Sequence, residues 1–114
     1  MKILYGVQAT GNGHISRARA MGKYLAKAGV EVDYLFSGRP ADQLFDMQQF
    51  GDYEVKRGLT FVTQAGKVNY WQSFWQASVK TLKQDIQALD CSQYDLVLTD
   101  FEPITAQAAK QQNK

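Results

Sequence analysis

Two hydrophobic periods alternate along this chain, and that alternation limits the folds open to it more than any other feature. Strand-like runs at Ile3–Val7, Glu31–Phe36, Tyr53–Arg57 and Tyr94–Thr99 are separated by stretches with helical spacing. The first helical stretch follows the chain's single histidine, with Ile15, Ala18, Gly22 and Leu25 on one face, and Gly29 suits a helix C′ position. Pro40 is placed to open a second helix running to about Phe50, with Leu44, Phe45 and Met47 inward. Residues 58–70 read as loop. Trp71, Phe74, Trp75, Val79, Leu82, Ile86 and Leu89 then recur at helical spacing, and Pro103 opens a fourth helix.

The order β-α-β-α-β-α-β-α predicts an α/β fold: a Rossmann-like three-layer sandwich around a parallel sheet of about four strands, with right-handed crossovers. Strand order 3-2-1-4 puts the switch point between strands 1 and 4, where ligands bind outside the carboxyl ends. That rule brings two loops, Gly11–His14 and Asp100–Glu102, to one crevice although they lie far apart in sequence.

Composition excludes several function classes. A net charge of +2 with scattered Lys and Arg argues against nucleic acid and against an anionic membrane surface. One cysteine rules out an internal disulfide, and with one histidine it predicts no metal site. No Asp-x-Asp pair stands ready for a metal either. The first apolar run, five residues long, is too short for a leader, and nothing approaches the ~18 apolar residues of a transmembrane segment. The expectation is a cytosolic protein.

Chemistry gathers at residues 3–16. A strand, the loop Thr10-Gly11-Asn12-Gly13 and a helix N-terminus form an anion site, because unpaired backbone N–H groups and the helix dipole converge there. Gly11 and Gly13 let a ligand approach the backbone, and His14 places a titratable ring at the mouth. The loop is Gly11-x-Gly13-x-x-Ser16, so the third glycine of the dinucleotide fingerprint is missing. Strand 2 ends Leu35-Phe36-Ser37 without the acid that holds an NAD ribose, which disfavours nicotinamide cofactors.

Each candidate also has a plain structural reading. His14 is either a general base or a helix-start residue packed on Tyr5. Asp100, at a strand's carboxyl end, either orients His14 or caps the next helix, a role that Glu102 beside Pro103 fills more naturally. Arg17 reaches an anion at the loop or is solvated surface, as Arg19 is expected to be. Ser37-Gly38-Arg39 touches ligand or is a simple turn. The tryptophans at 71 and 75 belong to the core or wall an acceptor groove, Cys91 is inert, and Lys56-Arg57 is surface.

Ile3-Leu4-Tyr5-Gly6-Val7, Thr10-Gly11-Asn12-Gly13-His14, Arg17-Ala18 and Asp33-Tyr34-Leu35-Phe36-Ser37-Gly38-Arg39 together resemble the N-terminal domain of GT-B glycosyltransferases. Within that group the chain is similar to the bacterial and archaeal proteins related to the N-acetylglucosaminyltransferase of peptidoglycan synthesis. Asn12 departs from the glycine-rich sequence of that enzyme, so its acceptor is not carried over. The resemblance implies a single domain over residues 1–114 that holds the acceptor, with the domain binding most of the nucleotide sugar lying outside it. It further implies hexosyl transfer with His14 as base and Asp100 as its orienting acid. Thr10, Gly11, Asn12, Gly13, Ser16, Arg17, Ser37, Arg39 and Glu102 then line the substrate. The nucleotide sugar is a substrate; no cofactor or metal is implied. The fragment alone is expected to be inactive, in the cytoplasm or at the inner membrane face. Two other readings stay open: a nucleotide- or phosphate-binding Rossmann or flavodoxin-like module, and an interaction domain. The latter would form a homodimer through an open sheet edge or the aromatic helix.

Overall fold

The computed structural model describes residues 1–57 and 79–114. It contains four parallel strands, β1 (Lys2–Gln8), β2 (Glu31–Ser37), β3 (Glu54–Lys56) and β4 (Leu96–Asp100), in the order β3-β2-β1-β4. Helix α1 (Asn12–Lys27) connects β1 to β2, helix α2 occupies described residues 79–88, and α3 (Pro103–Gln111) follows β4. This is the α/β architecture and strand order anticipated from the sequence.

Side chains alternate across the sheet, as a period of two requires. Tyr5, Val7, Tyr34 and Phe36 face α1 and pack with Ile15 and Ala18. Leu4 and Leu35 belong to the other cluster, with Ile86 of α2, Cys91, Tyr94, and Ile104 and Ala108 of α3. Helices α1 and α3 thus cover opposite faces while their strands, β1 and β4, are neighbours paired from Ile3↔Leu96 to Val7↔Asp100. A crevice at the carboxyl ends of β1 and β4 follows from that divergence.

The packing on the α3 side is close enough to dictate a residue. A Cβ built on Gly6 would lie 1.9 Å from Thr105 Oγ1 and 2.7 Å from Thr105 Cβ, so only glycine lets α3 rest on β1 here. At the far end of α1, Gly29 takes φ +74, the left-handed C′ geometry that closes the helix.

One element departs from expectation. Residues 40–50 form two short 3₁₀ turns, Ala41–Gln43 and Gln48–Phe50, rather than an α-helix. Leu44 is extended, at φ −95 and ψ 133, and Asp46 is left-handed at φ 56. The inward residues are Leu44, Met47 and Phe50, spaced by three, whereas Phe45 is 72% exposed. Phe50 meets Tyr34 and Phe36 edge-on at 4.7 and 4.9 Å. Burying these three side chains stabilises by about 1.5–3 kcal/mol each, more than the ~1 kcal/mol of each helical hydrogen bond given up. Tertiary packing therefore decides this segment.

The remaining helix assignments hold where they are described. Ile15, Ala18 and Gly22 are buried on α1 with Leu25 half-buried, Ile86 is buried on α2, and Pro103 stands at the first position of α3. The loop expected at 58–70 and the inward positions Trp71, Phe74 and Trp75 lie outside the described residues. Cys91 is buried, which pushes its thiol upward, as suits an unreactive side chain. Among the described residues no helix is long and apolar enough to cross a membrane.

Candidate functional site

The crevice is built from three chain segments. Strand β1 delivers Thr10 and Gly11 to its rim, where Asn12 and Gly13 open α1. The first turn of α1 carries His14, with Arg17 one turn further, and β4 ends on Asp100. Because Val7 is in register with Asp100, the carboxylate sits on the α1 side of the sheet.

His14 and Asp100, 86 residues apart, meet there: Nδ1 lies 2.9 Å from Oδ1. Arg17 Nη1 donates to both oxygens of the same carboxylate, at 3.0 and 3.1 Å. Asp100 is only 8% exposed, so the carboxylate is shielded from solvent, whereas the Arg17 side chain that pairs with it is 61% exposed. A carboxylate paired with arginine can only accept, so His14 Nδ1 carries the proton, and in the neutral ring Nε2 holds the lone pair. Among the described residues Nε2 has no hydrogen-bond partner. Burial raises the Tyr5 phenol, and the nearby Asp100 charge adds to that while Arg17 opposes it.

Two helices begin near this point, and they differ. Helix α3 is fully capped: Glu102, completely buried, accepts from Ile104 N at 3.1 Å and Thr105 N at 2.6 Å, and Ser37 Oγ donates to it as well. Helix α1 begins at Gly11, in extended geometry, with no side-chain cap and no acid in its first turn. A Cβ on Gly11 or Gly13 would meet nothing within 4 Å, so the protein's own packing does not demand glycine at either position. The positive end of the α1 dipole and its first amides are the ones open to an incoming anion.

The other sequence candidates divide. Arg39 Nη2 donates to Asn12 Oδ1 at 3.0 Å, tying the loop after β2 to the glycine loop. Thr10 is exposed and accepts from Gln8 Nε2 at 3.3 Å. Ser16 is exposed on α1. Arg17 stands on Asp100 instead of reaching toward the loop. Ser37 and Glu102 are fully buried against each other and the start of α3, which is a structural placement.

Phe101 escaped the sequence reading. It takes φ 55, a left-handed conformation rare for a bulky residue, and it is 80% exposed. Its ring centroid lies 5.5 Å from that of His14, tilted by 58°. Such a backbone costs about 1–2 kcal/mol, and an exposed side chain returns little of it. The available signal was a large apolar residue wedged between two acids at a strand's carboxyl end.

Among the described residues, no group of three or more His, Cys, Asp and Glu could hold a metal ion. Over residues 1–114 the sequence matches the family described as Glycosyl transferase family 1. No curated protein and no solved structure matches it significantly.

Proposed function

This chain belongs to glycosyl transferase family 1, and we propose that it supplies the acceptor side of a hexosyltransferase in which His14 is the general base. The contact of His14 Nδ1 with Asp100 Oδ1 carries this reading. It fixes the tautomer that leaves Nε2 free to take a proton, beside a helix start that is open to negative charge.

In the reaction, Nε2 accepts the proton of the acceptor hydroxyl while that oxygen attacks the anomeric carbon of a nucleotide sugar. The bond from the anomeric carbon to the leaving phosphate oxygen breaks, and the nucleotide diphosphate departs with the electron pair. Amides at the start of α1 offset part of its charge. Asp100 holds the ring and stabilises the imidazolium that forms, as the acid of a catalytic triad does. Arg17 keeps that carboxylate in place. Membership of glycosyl transferase family 1 supports a sugar donor carried on a nucleotide, and the acceptor is left to experiment.

The test is transfer from a panel of radiolabelled nucleotide hexoses by the native protein and its His14→Ala variant. The reading expects His14→Ala to lower kcat by 10²-fold or more. Transfer by the variant within a few-fold of the parent would sink it.

A further inference from the structure

We infer that Phe101 is the stacking face for the acceptor, and that the acceptor presents a pyranose ring rather than an open-chain hydroxyl; the inference rests on the proposed role of His14. Phe101 lies between two buried acids, Asp100 and Glu102, yet is 80% exposed and left-handed. Glu102 must turn inward to cap α3, and Asp100 must point to α1 to reach His14 and Arg17. The left-handed turn at residue 101 serves both demands, and glycine or asparagine would make it more easily. The turn itself serves the fold, but a phenylalanine in it adds an exposed apolar ring to a conformation that this residue disfavours, and the choice of side chain does not help folding. Conformational strain of this kind concentrates where a ligand is held.

The geometry names what that ligand offers. Aromatic faces are electron-rich, and the axial C–H groups on one side of a pyranose carry partial positive charge, so the two surfaces attract. The Phe101 ring stands 5.5 Å from the His14 ring and is tilted by 58°. A pyranose laid on it at van der Waals contact, about 4 Å, brings the hydroxyls of its edge beside the imidazole. A linear polyol has no flat C–H face and gains nothing from the same surface.

The test is saturation-transfer NMR on the native protein, with methyl β-D-glucopyranoside as the ring ligand and xylitol as the chain ligand. The expected result is saturation of the glucoside's axial protons at least fivefold above that of xylitol. Phe101→Ala and Phe101→Gly should remove that excess, and Phe101→Trp should keep it. Thermal melting shows whether the variants fold, with Phe101→Gly as the safeguard because it relaxes the turn. Equal signals from the two ligands, no glucoside signal in the parent, or an unchanged signal in a folded Phe101→Gly variant would each overturn the inference. His14→Ala separates the two ideas: ring binding that persists in a variant without transfer activity supports both. If the excess is absent but His14→Ala still abolishes transfer, the stacking role alone is rejected. Full transfer by His14→Ala rejects the catalytic reading instead.

Discussion

Asp100 Oδ1 accepts from both His14 Nδ1 at 2.9 Å and Arg17 Nη1 at 3.0 Å, so one buried carboxylate holds an imidazole and a guanidinium at once. The arrangement gives Asp100 two separable tasks, orienting the imidazole and neutralising Arg17. An amide in its place keeps the shape but loses the charge, and it no longer forces the Nδ1–H tautomer.

Asp100→Asn is therefore expected to lower kcat by about 10²–10⁴-fold, by comparison with triads in which the orienting acid is replaced by its amide, while the acceptor KM changes little. Circular dichroism should show an intact fold. A variant that folds and keeps full kcat would remove Asp100 from the mechanism. Arg17→Lys provides the contrast, because it preserves a cation at the carboxylate and should retain most of the activity.

The contact of α3 with β1 yields a prediction independent of function. Gly6→Ala places a methyl group 1.9 Å from Thr105 Oγ1, between a central strand and a helix whose start is fixed by Glu102. Neither side can yield without disturbing the other, so the expected loss is at the upper end of the 1–3 kcal/mol typical of overpacking. Urea denaturation measures it. Thr105→Ala added to Gly6→Ala should restore only part, because Thr105 Cβ itself lies 2.7 Å from the new methyl. Full restoration would mean that the hydroxyl and methyl of Thr105, and not its Cβ, set the packing.

Glu102 is the acid that sequence reasoning assigned to both the substrate and the helix cap, and a single substitution separates the roles. Its carboxylate accepts from Ser37 Oγ, Ile104 N and Thr105 N with no exposure to solvent. Glu102→Gln turns one acceptor oxygen into an NH₂ group that faces donors. The expected loss of stability is about 2–3 kcal/mol, the penalty for buried polar groups left unpaired. Ser37→Ala, which removes one donor, should cost about 1 kcal/mol. A Glu102→Gln protein that melts like the parent but binds substrate poorly would return Glu102 to the site.

These residues also show how far the sequence could be read. The strand, glycine loop and helix from Lys2 to Lys27 were legible because local periods and loop chemistry agree with the tertiary packing. The pairing of His14 with Asp100 was legible only through topology, since strand order 3-2-1-4 brings the carboxyl ends of β1 and β4 together. Residues 40–50 misled because Leu44 and Met47 fit a helix stripe as well as they fit a pair of tight turns. What separates the two is contact with Tyr34 and Phe36, a nonlocal fact. Phe101 was hidden for a different reason. Its left-handed backbone and its exposure have no signature in residue type, and only its place between Asp100 and Glu102 was on view.

The far face of the sheet offers a pH-dependent check. Tyr94 OH donates to Asp33 Oδ2 at 2.7 Å, and the phenol is 6% exposed. Burial first, then the Asp33 hydrogen bond and charge, then the Glu54 and Cys91 charges, hold it well above its ordinary value of 10.0. Lys2 stands over the ring with its Nζ 5.6 Å from the centroid, and Asp33 lies 3.9 Å from the same amine. Because the folded phenol keeps its proton where the unfolded one loses it, the folded state binds more protons above pH 10, and stability must fall as pH rises. That contribution is fully present below the ordinary tyrosine value and is lost on the alkaline side. Tyr5 and Tyr34, also raised by burial, add to the same slope. Tyr94→Phe should therefore flatten, but not abolish, the decline in unfolding free energy between about pH 9.5 and 11 around the ordinary tyrosine value, followed by urea denaturation at several pH values. An alkaline slope identical in parent and variant would show that Tyr94 loses its proton as readily in the folded protein as in the unfolded chain.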